Sequence, residues 1–237
     1  MSTVKQTPAA IGAIGILGTG RMGVRLAAMF ARAGRRVILG SRDPSRAARI
    51  VRELAIPNLV AGTYHDAAGA PAVLPAAFIR DGLFDLLEEF RAQLDGKVLV
   101  DITNPFDATY EGFLTPWDTS AAEELQKRFP RAQVVGAFKN VWWEVFDEPE
   151  FDGAPSDVYV VSDAAAAKSR FLALAAGTPF RYVDAGRLEN ARTVERMTLL
   201  AGELGQRMKF YPRMNWRLLG REWQPGSRDR VSALIQR

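Results

Sequence analysis

Short apolar runs alternate with segments of helical periodicity along the chain up to Gly186. Several of these runs are continuously apolar, which is typical of strands buried on both faces of a parallel sheet. The alternation of strands and helices predicts an α/β domain with a doubly wound, mostly parallel sheet, the Rossmann fold. The predicted strands span residues 13–17, 36–40, 72–78, 97–103, 133–138, 157–162 and 180–184.

Two helices are predicted between these strands. The first spans Arg21 to Ala33 and ends at Gly34, because glycine readily adopts the left-handed conformation that closes a helix. The second carries an apolar stripe at helical spacing, which would face the sheet. The stripe consists of Leu83, Leu87, Phe90 and Leu94.

The pattern changes after Gly186 to one long helix and a tail rich in arginine and tryptophan. The helix carries an apolar stripe that needs a partner, and we expect a second subunit rather than the chain's own sheet. The tail is also expected to contact that subunit, so the protein is predicted to be a homodimer. The stripe consists of Val194, Met197, Ala201 and Leu204. The predicted divisions are a tail at 1–10, a Rossmann domain at 11–186 and a helical appendage with a basic tail at 187–237.

A glycine cluster, "GILGTGRMG", follows the first strand directly and opens the first helix. Gly18, Gly20 and Gly23 fit the pattern GxGxxG in the context that dinucleotide binding requires. The first glycine makes a tight turn, the second lets a pyrophosphate approach the backbone, and the third lets helix and strand pack closely. The helix N-terminus offers free N–H groups to the anion. The cluster therefore predicts a dinucleotide site.

The end of the second strand, "LGSRDP", indicates which dinucleotide is bound. NAD enzymes place an acidic residue about 20 positions after the glycines to bind the ribose 2′-hydroxyl. This chain has Ser41 and Arg42 there, with Arg46 one helical turn later, and guanidinium groups suit a 2′-phosphate. Asp43 is an alternative ribose ligand, but Asp43 followed by Pro44 is also typical of a helix start. We therefore expect NADP(H).

The residue inventory excludes several kinds of chemistry. The chain contains no cysteine and one histidine, His65. Thiolate metal sites, disulfides, cysteine nucleophiles and multi-histidine metal sites are thus excluded, and no metal is predicted. His65 is expected at the surface in a loop. Demanding chemistry then falls to a bound cofactor.

The formal net charge of +4 is concentrated around the glycine cluster and in the C-terminal tail. A small polyanionic ligand explains the first concentration without nucleic acid, and a general preference for arginine explains it equally well. No segment has the apolar length of a signal peptide or a membrane span. We expect a cytoplasmic protein with a small-molecule substrate and neither a nucleic-acid nor a membrane partner.

Three segments, "IGILGTGRMG", "VILGSRDP" and "DITNP", together resemble the NADP-dependent deazaflavin oxidoreductases. Their relatives include the cytosolic domains of the six-transmembrane metalloreductases, and the resemblance covers residues 14–184. It implies hydride transfer between NADPH and a deazaflavin, coenzyme F420, or a flavin such as FMN or FAD. It also implies that Asn104 and Pro105 shape the nicotinamide end of the site. The candidate cofactor-binding residues are Gly18, Thr19, Gly20, Arg21, Met22, Gly23, Ser41, Arg42, Arg46, Ala77, Thr103, Asn104, Pro105 and Ala137.

Two departures from the family pattern lie where the second substrate is expected. Relatives often read "AFN" after the fifth strand, whereas this chain reads "GAFKNVWW". The exit of the third predicted strand, "AAFI", lacks the usual proline-containing turn. The candidate acceptor contacts are Phe138, Lys139, Asn140 and Trp142.

Two further functions stay open from the sequence. An NADPH-dependent imine or carbonyl reductase would need a proton donor, for which Lys139, Tyr64 and Tyr110 are candidates. A non-catalytic NADP-binding redox sensor would bind the cofactor without turnover and signal through the basic tail. The family resemblance and the scarcity of histidine and cysteine favour hydride transfer between two rings, for which no catalytic side chain is predicted.

Overall fold

The computed structural model describes residues 12–222. The predicted tail at 1–10 and residues 223–237 of the basic tail lie outside the described residues. Six strands are β1 (Ala13–Leu17), β2 (Arg36–Ser41), β3 (Leu59–Thr63), β4 (Ala72–Pro75), β5 (Val98–Asp101) and β6 (Gln133–Gly136). They form one sheet in the order β3-β2-β1-β4-β5-β6, with every pair parallel.

This strand order is that of the Rossmann fold, and it confirms the predicted fold class. The direction of strand addition reverses between β1 and β4, and ligands of such sheets bind in the crevice outside the carboxyl ends of the strands there. The helices are α1 (Arg21–Arg32), α2 (Pro44–Leu54), α3 (Tyr64–Ala68), α4 (Leu83–Glu88), α5 (Arg91–Leu94), α6 (Ala121–Arg128), α7 (Ala165–Ala175) and α8 (Ala191–Arg207). The remaining strands are β7 (Glu150–Phe151), β8 (Ala154–Pro155), β9 (Asp157–Val160) and β10 (Arg181–Asp184).

Apolar side chains pack against both faces of the central sheet. On one face, Leu26 and Phe30 of α1 join Ile14 and Leu39 in a continuous buried cluster. On the other face, residues of α4, α5 and α6 pack against strands β4 to β6. Burial of both faces explains why the strands carry continuous apolar runs.

Three predicted features differ from the structure. The predicted helix with the stripe Leu83 to Leu94 divides into α4 and α5, because Phe90 has a non-helical backbone with φ −112° and ψ 11°. Strands β9 and β10 pair with each other rather than with the central sheet, to which a bridge between Gly136 and Val161 connects them. His65 is exposed, as expected, but lies in the short helix α3 rather than in a loop.

Helix α8 packs largely on its own chain, which corrects the expected second subunit as the partner of its stripe. Val194 and Ala201 are buried, and Val194 belongs to the same core cluster as Leu125 of α6. Met197 is half-buried, and its carbonyl accepts a hydrogen bond from the Trp216 indole N–H at 3.0 Å. Leu204 is 39% exposed.

The described part of the basic tail also contacts its own chain. Asn215 accepts a hydrogen bond from the Asn140 amide at 2.9 Å, and the Leu218 amide donates to Asp157 at 2.7 Å. The homodimer stays a prediction. Within residues 12–222, no helix combines the length and apolarity that crossing a bilayer needs.

Candidate active site

The glycine turn joins β1 to α1 at the carboxyl edge of the sheet. Gly18 has a φ of +131°, which side-chain-bearing residues rarely adopt, and its amide donates to the Gly40 carbonyl at 3.1 Å. A Cβ at Gly23 would lie 2.1 Å from the Gly18 carbonyl oxygen, so only glycine allows α1 to begin so close to the turn. A Cβ at Gly20 would meet no atom within 4 Å, so the turn leaves open space in front of the helix.

The N-terminus of α1 carries no compensating group. Gly20 is the N-cap residue, no side chain caps the helix, and the first turn contains no acidic residue. Arg21 is exposed beside it, whereas Thr19 and Met22 are half-buried. The first N–H groups of α1 and its positive dipole end are therefore free to bind an anion.

Cationic and hydroxyl groups gather where β2 ends. Ser41 is buried, and its Oγ accepts a hydrogen bond from the Asp43 amide at 3.1 Å. The Asp43 carboxylate accepts from the amides of Ser45 and Arg46 at 3.0 and 3.3 Å, which confirms that it caps α2. The Arg46 guanidinium donates to the Thr19 carbonyl at 3.2 Å, so α2 brings a cation to the glycine turn. Arg42 is exposed and forms no ion pair with the residues that the structure describes.

The loop after β5 forms the other end of the crevice. The Thr103 amide donates to Asp101 at 2.8 Å, and the Thr103 hydroxyl lies 3.5 Å from the Ala77 carbonyl oxygen, which brings the ends of β4 and β5 together. Asn104 donates from Nδ2 to the Lys139 carbonyl at 2.7 Å, which fixes the orientation of its amide. Its Oδ1 is buried and accepts no hydrogen bond within residues 12–222. A buried acceptor without a donor costs free energy, so this oxygen points to a donor that a ligand supplies.

The two other predicted residues beside this loop are buried. Pro105 follows Asn104 directly, and Ala137 follows β6, where its amide donates to the Asp101 carbonyl at 3.0 Å. Neither offers a polar side chain to a ligand. Pro105 and Ala137 can therefore contribute only to the shape of the crevice.

A cluster of aromatic rings lies next to this loop. Phe106 lies between Tyr110 and Trp142, with ring centroids 5.5 and 6.2 Å away. Trp142 continues to Trp143 at 5.8 Å and to Tyr211 at 5.0 Å. We define the aromatic wall as Phe78, Phe106, Tyr110, Trp142, Trp143 and Tyr211.

Two arginines fix the ends of the aromatic wall. The Arg21 guanidinium lies 4.8 Å from the centroid of Trp143, which connects the wall to the glycine turn. The Arg80 guanidinium lies over Phe78 at 4.6 Å and over Tyr110 at 4.1 Å. Such cation–π contacts stabilise the rings, and the Arg80 guanidinium also donates to the Asp107 carbonyl.

Three of the four predicted acceptor contacts are buried away from the crevice, which corrects that expectation for their side chains. Phe138 is 1% exposed and packs edge-on against Phe30 and Phe171 in the core. Asn140 is buried, and its amide donates to the Asp157 carbonyl at 2.8 Å. Lys139 is fully buried between two carboxylates. Trp142 belongs to the aromatic wall, and we retain it as an acceptor contact.

The sequence analysis missed Phe78, Arg80 and Tyr211 as residues of this region. Tyr211 lies in the segment after α8, far along the chain from the other rings, and no local pattern connects it to them. Phe78 and Arg80 follow β4 in the "AAFI" exit, whose position at the carboxyl edge of the sheet was the available signal.

Known proteins place these features in a family. Residues 13–105 match the family model of coenzyme F420-dependent NADP oxidoreductases. The F420-dependent NADP reductase of Methanothermobacter thermautotrophicus is 35% identical over 197 residues, which cover 77% of this chain and 84% of the relative. The chain belongs to the F420-dependent NADP reductase family. It is therefore an NADP-dependent oxidoreductase, as the sequence predicted.

Three further proteins show how widely this fold is used. Metalloreductase STEAP3 of Rattus norvegicus is 32% identical over 188 residues, which cover 78% of this chain and 36% of the relative. A solved Arthrobacter sp. FB24 structure, described as a candidate F420-dependent NADP reductase, matches with a TM-score of 0.74 at 25% identity, covering 84% of this chain and 96% of the other. An imine reductase from Myxococcus stipitatus matches with a TM-score of 0.57 at 18% identity, covering 84% of this chain and 64% of the other. This last likeness shows the fold alone.

Proposed function

We propose that this NADP-dependent oxidoreductase transfers hydride between NADPH and a deazaflavin or flavin that lies on the aromatic wall. The aromatic wall carries the proposal, because it extends from the glycine turn at Arg21 to the loop of Asn104. Such a surface suits a planar ring system. The names of its relatives support coenzyme F420 as the acceptor within this class.

The described residues fit NADP(H). When bound, NADPH supplies the hydride. The N-terminus of α1 would hold the diphosphate, since its N–H groups are uncapped and Gly20 leaves space there. Ser41, Arg42 and Arg46 would hold the 2′-phosphate, because the Asp43 carboxylate already serves as the cap of α2. The unpaired Oδ1 of Asn104 would accept a hydrogen bond at the nicotinamide end.

Proton transfer makes a small contribution in this arrangement. Among the residues of the aromatic wall, Tyr110 and Tyr211 carry O–H groups, and burial raises the pKa of Tyr211, which makes its phenol a weaker proton donor. Hydride transfer between two stacked rings depends on their positioning rather than on an acid or base. Lys139, which an imine or carbonyl reductase could have used as a donor, is fully buried and ion-paired.

The cofactor preference provides a first test. We expect NADP+ to bind at least about tenfold more tightly than NAD+, because a charge-assisted hydrogen bond contributes about 1.5 to 3 kcal/mol. The substitution Arg42→Ala should remove most of this preference and leave the affinity for NAD+ nearly unchanged. Calorimetric titration measures both affinities. Arg32→Ala is the matched control, since it removes an exposed arginine at the far end of α1. Equal affinities of the unmodified protein for NADP+ and NAD+ would contradict the proposed 2′-phosphate site.

The acceptor provides a second test. NADPH oxidation, followed by absorbance, is expected with coenzyme F420 or with FMN or FAD. Trp142→Ala should lower this rate by about tenfold or more, because it removes the ring between Phe106 and Tyr211. Trp117→Ala is the matched control, since Trp117 is 83% exposed and lies outside the aromatic wall under Arg196.

The runner-up function predicts a different result. Turnover of a cyclic imine or a ketone that Tyr110→Phe abolishes, without oxidation of NADPH by any deazaflavin or flavin, would replace our proposal with an imine or carbonyl reductase. Tight NADPH binding without turnover of any of these acceptors would instead favour a redox sensor.

A further inference from the structure

Three charged side chains meet inside the protein beside the nicotinamide end of the proposed site. The Lys139 ammonium lies 2.5 Å from Asp101 and 2.8 Å from Glu195, and all three side chains have 0% exposure. Asp101 ends β5, Lys139 follows β6, and Glu195 lies on α8. We call these residues the buried triad. It ties helix α8 to the carboxyl edge of the central sheet.

The charges of the buried triad are stabilised by one another and by helix α6. Glu195 also accepts hydrogen bonds from the amides of Ala121 and Ala122 at 3.0 and 3.3 Å, so the N-terminus of α6 stabilises its charge. Burial alone would lower the pKa of Lys139, but the carboxylates of Asp101 and Glu195 outweigh burial and raise it. The ammonium therefore stays charged at neutral pH and holds its partners in place.

The fold makes room for this lysine at one glycine. A Cβ at Gly136 would lie 3.1 Å from Cε of Lys139 and 2.8 Å from a methyl group of Val161. Any larger residue at position 136 would therefore clash with the methylene groups of Lys139. Gly136 stands three positions before Lys139 in "GAFKN".

Lys139 contacts the loop after β5 at two points, Thr103 and Asn104. Its ammonium donates to the Thr103 carbonyl at 2.5 Å, and its own carbonyl accepts from Nδ2 of Asn104 at 2.7 Å. The hydroxyl of Thr198 on α8 donates to the same carbonyl at 2.7 Å. The side chain and the backbone of one residue therefore set the place of Asn104, whose Oδ1 is left unpaired.

We propose that Lys139 and Glu195 are positioning residues, which hold the Asn104 amide in register to accept a hydrogen bond from the nicotinamide half of the cofactor. This inference rests on the proposed NADP(H) site. Helix α8 is then part of the site through Glu195 and Thr198, although neither touches the crevice. The adenosine half lies at the end of β2, on the other side of the glycine turn, and is independent of the buried triad.

Calorimetric titration with two ligands tests this inference without any turnover. NADP+ carries both halves of the cofactor, whereas adenosine 2′,5′-bisphosphate lacks the nicotinamide half. Glu195→Ala should weaken NADP+ binding by about tenfold and change the affinity for the bisphosphate by no more than about twofold. Glu195→Gln, which preserves the shape and one of the two acceptor oxygens, should lose distinctly less NADP+ affinity than Glu195→Ala.

Two further variants keep the test decisive if Glu195→Ala unfolds. Thr198→Val removes one hydroxyl at nearly constant volume. It should lower the ratio of the NADP+ affinity to the bisphosphate affinity by about threefold, in the same direction as Glu195→Ala. Arg181→Leu is the matched control, because it leaves the buried Asp157 carboxylate of β9 without its ion pair and removes no contact of the buried triad. It should destabilise the protein without changing the ratio.

Each other outcome has a defined meaning. Equal losses for both ligands in Glu195→Ala, or an unchanged ratio in both Glu195→Ala and Thr198→Val, would overturn the inference and leave the buried triad a purely structural feature. The inference would also be overturned if the unmodified protein bound NADP+ no more tightly than the bisphosphate. That result would leave the proposed 2′-phosphate site intact. Binding of neither ligand would refute the proposed function itself, and the inference with it.

Discussion

The substitution Lys139→Met is expected to lower the free energy of unfolding by about 3 to 5 kcal/mol. It removes the ammonium and leaves Asp101 and Glu195 as like charges at 0% exposure. Breaking a buried ion pair by removing one partner costs this much because the remaining charge has lost its solvation and its partner together. From the sequence alone, Lys139 was expected to contact the acceptor in the crevice. The buried triad reverses that expectation.

Urea unfolding measures this loss, and its pH dependence identifies the cause. Burial raises the pKa of Glu195 in the folded protein, while Lys139 opposes the shift. Without the lysine, the folded protein binds the Glu195 proton still more tightly than the unfolded chain does. The loss in the free energy of unfolding is therefore complete above the pKa that Glu195 has in the folded variant. It shrinks as the pH falls towards the pKa that Glu195 has in the unfolded chain. A deficit that does not shrink as the pH is lowered to the ordinary pKa range of a carboxyl group would contradict charge burial as the cause.

His65→Ala is the control for this measurement. His65 is exposed on α3, and its replacement should change the free energy of unfolding by less than about 0.5 kcal/mol. It should also retain most of the hydride-transfer rate, since the proposed reaction needs no imidazole. A large loss of either quantity would show that α3 contributes more than its position indicates.

Local patterns were sufficient where the physical cause is itself local. The close approach of Gly23 to Gly18 and the cap at Asp43 are each determined by residues a few positions apart, and the sequence predicted both. The continuous apolar runs of β1 and β5 likewise reflect burial on both faces of the sheet. Strand β3 was missed because its segment, "LVAGT", lies at the edge of the sheet and is mostly exposed.

Contacts between residues that lie far apart along the chain could not be predicted from the sequence. Glu195 lies 56 positions after Lys139, and nothing around either residue indicates that they meet. A lysine next to tryptophans suggested an exposed ligand contact, because a lysine is seldom fully buried unless it is paired. Trp142 and Trp143 contact each other, and Tyr211 reaches both only because the chain turns back after α8.

The site therefore has two parts with different physical origins. The part around the glycine turn and β2 consists of backbone amides and exposed cations, which the βαβ unit provides by itself. The part around Asn104 depends on β5, β6, α6 and α8 through buried contacts. Substitutions in the first part should change the affinity and leave stability nearly unchanged. Substitutions in the second should change both.

Gly20→Asp is expected to separate affinity from stability most clearly. Gly20 is the N-cap of α1 with φ −81° and ψ −177°, a conformation open to any residue, and a Cβ there meets no atom within 4 Å. Aspartate is a good N-cap residue, so the free energy of unfolding should rise by a few tenths of a kcal/mol.

The same carboxylate should nearly abolish NADP+ binding. It would stand where the cofactor diphosphate is proposed to lie, and two unit charges about 5 Å apart repel by about 3 kcal/mol near a protein surface, which corresponds to a loss of more than about a hundredfold in affinity. Gly20→Asn caps the helix and fills the same space without the charge, so it should lose distinctly less affinity than Gly20→Asp. Calorimetry with NADP+ and urea unfolding of both variants measure the two effects. Undiminished binding by Gly20→Asp would move the diphosphate away from the α1 terminus, since a carboxylate and a diphosphate cannot share the same N–H groups.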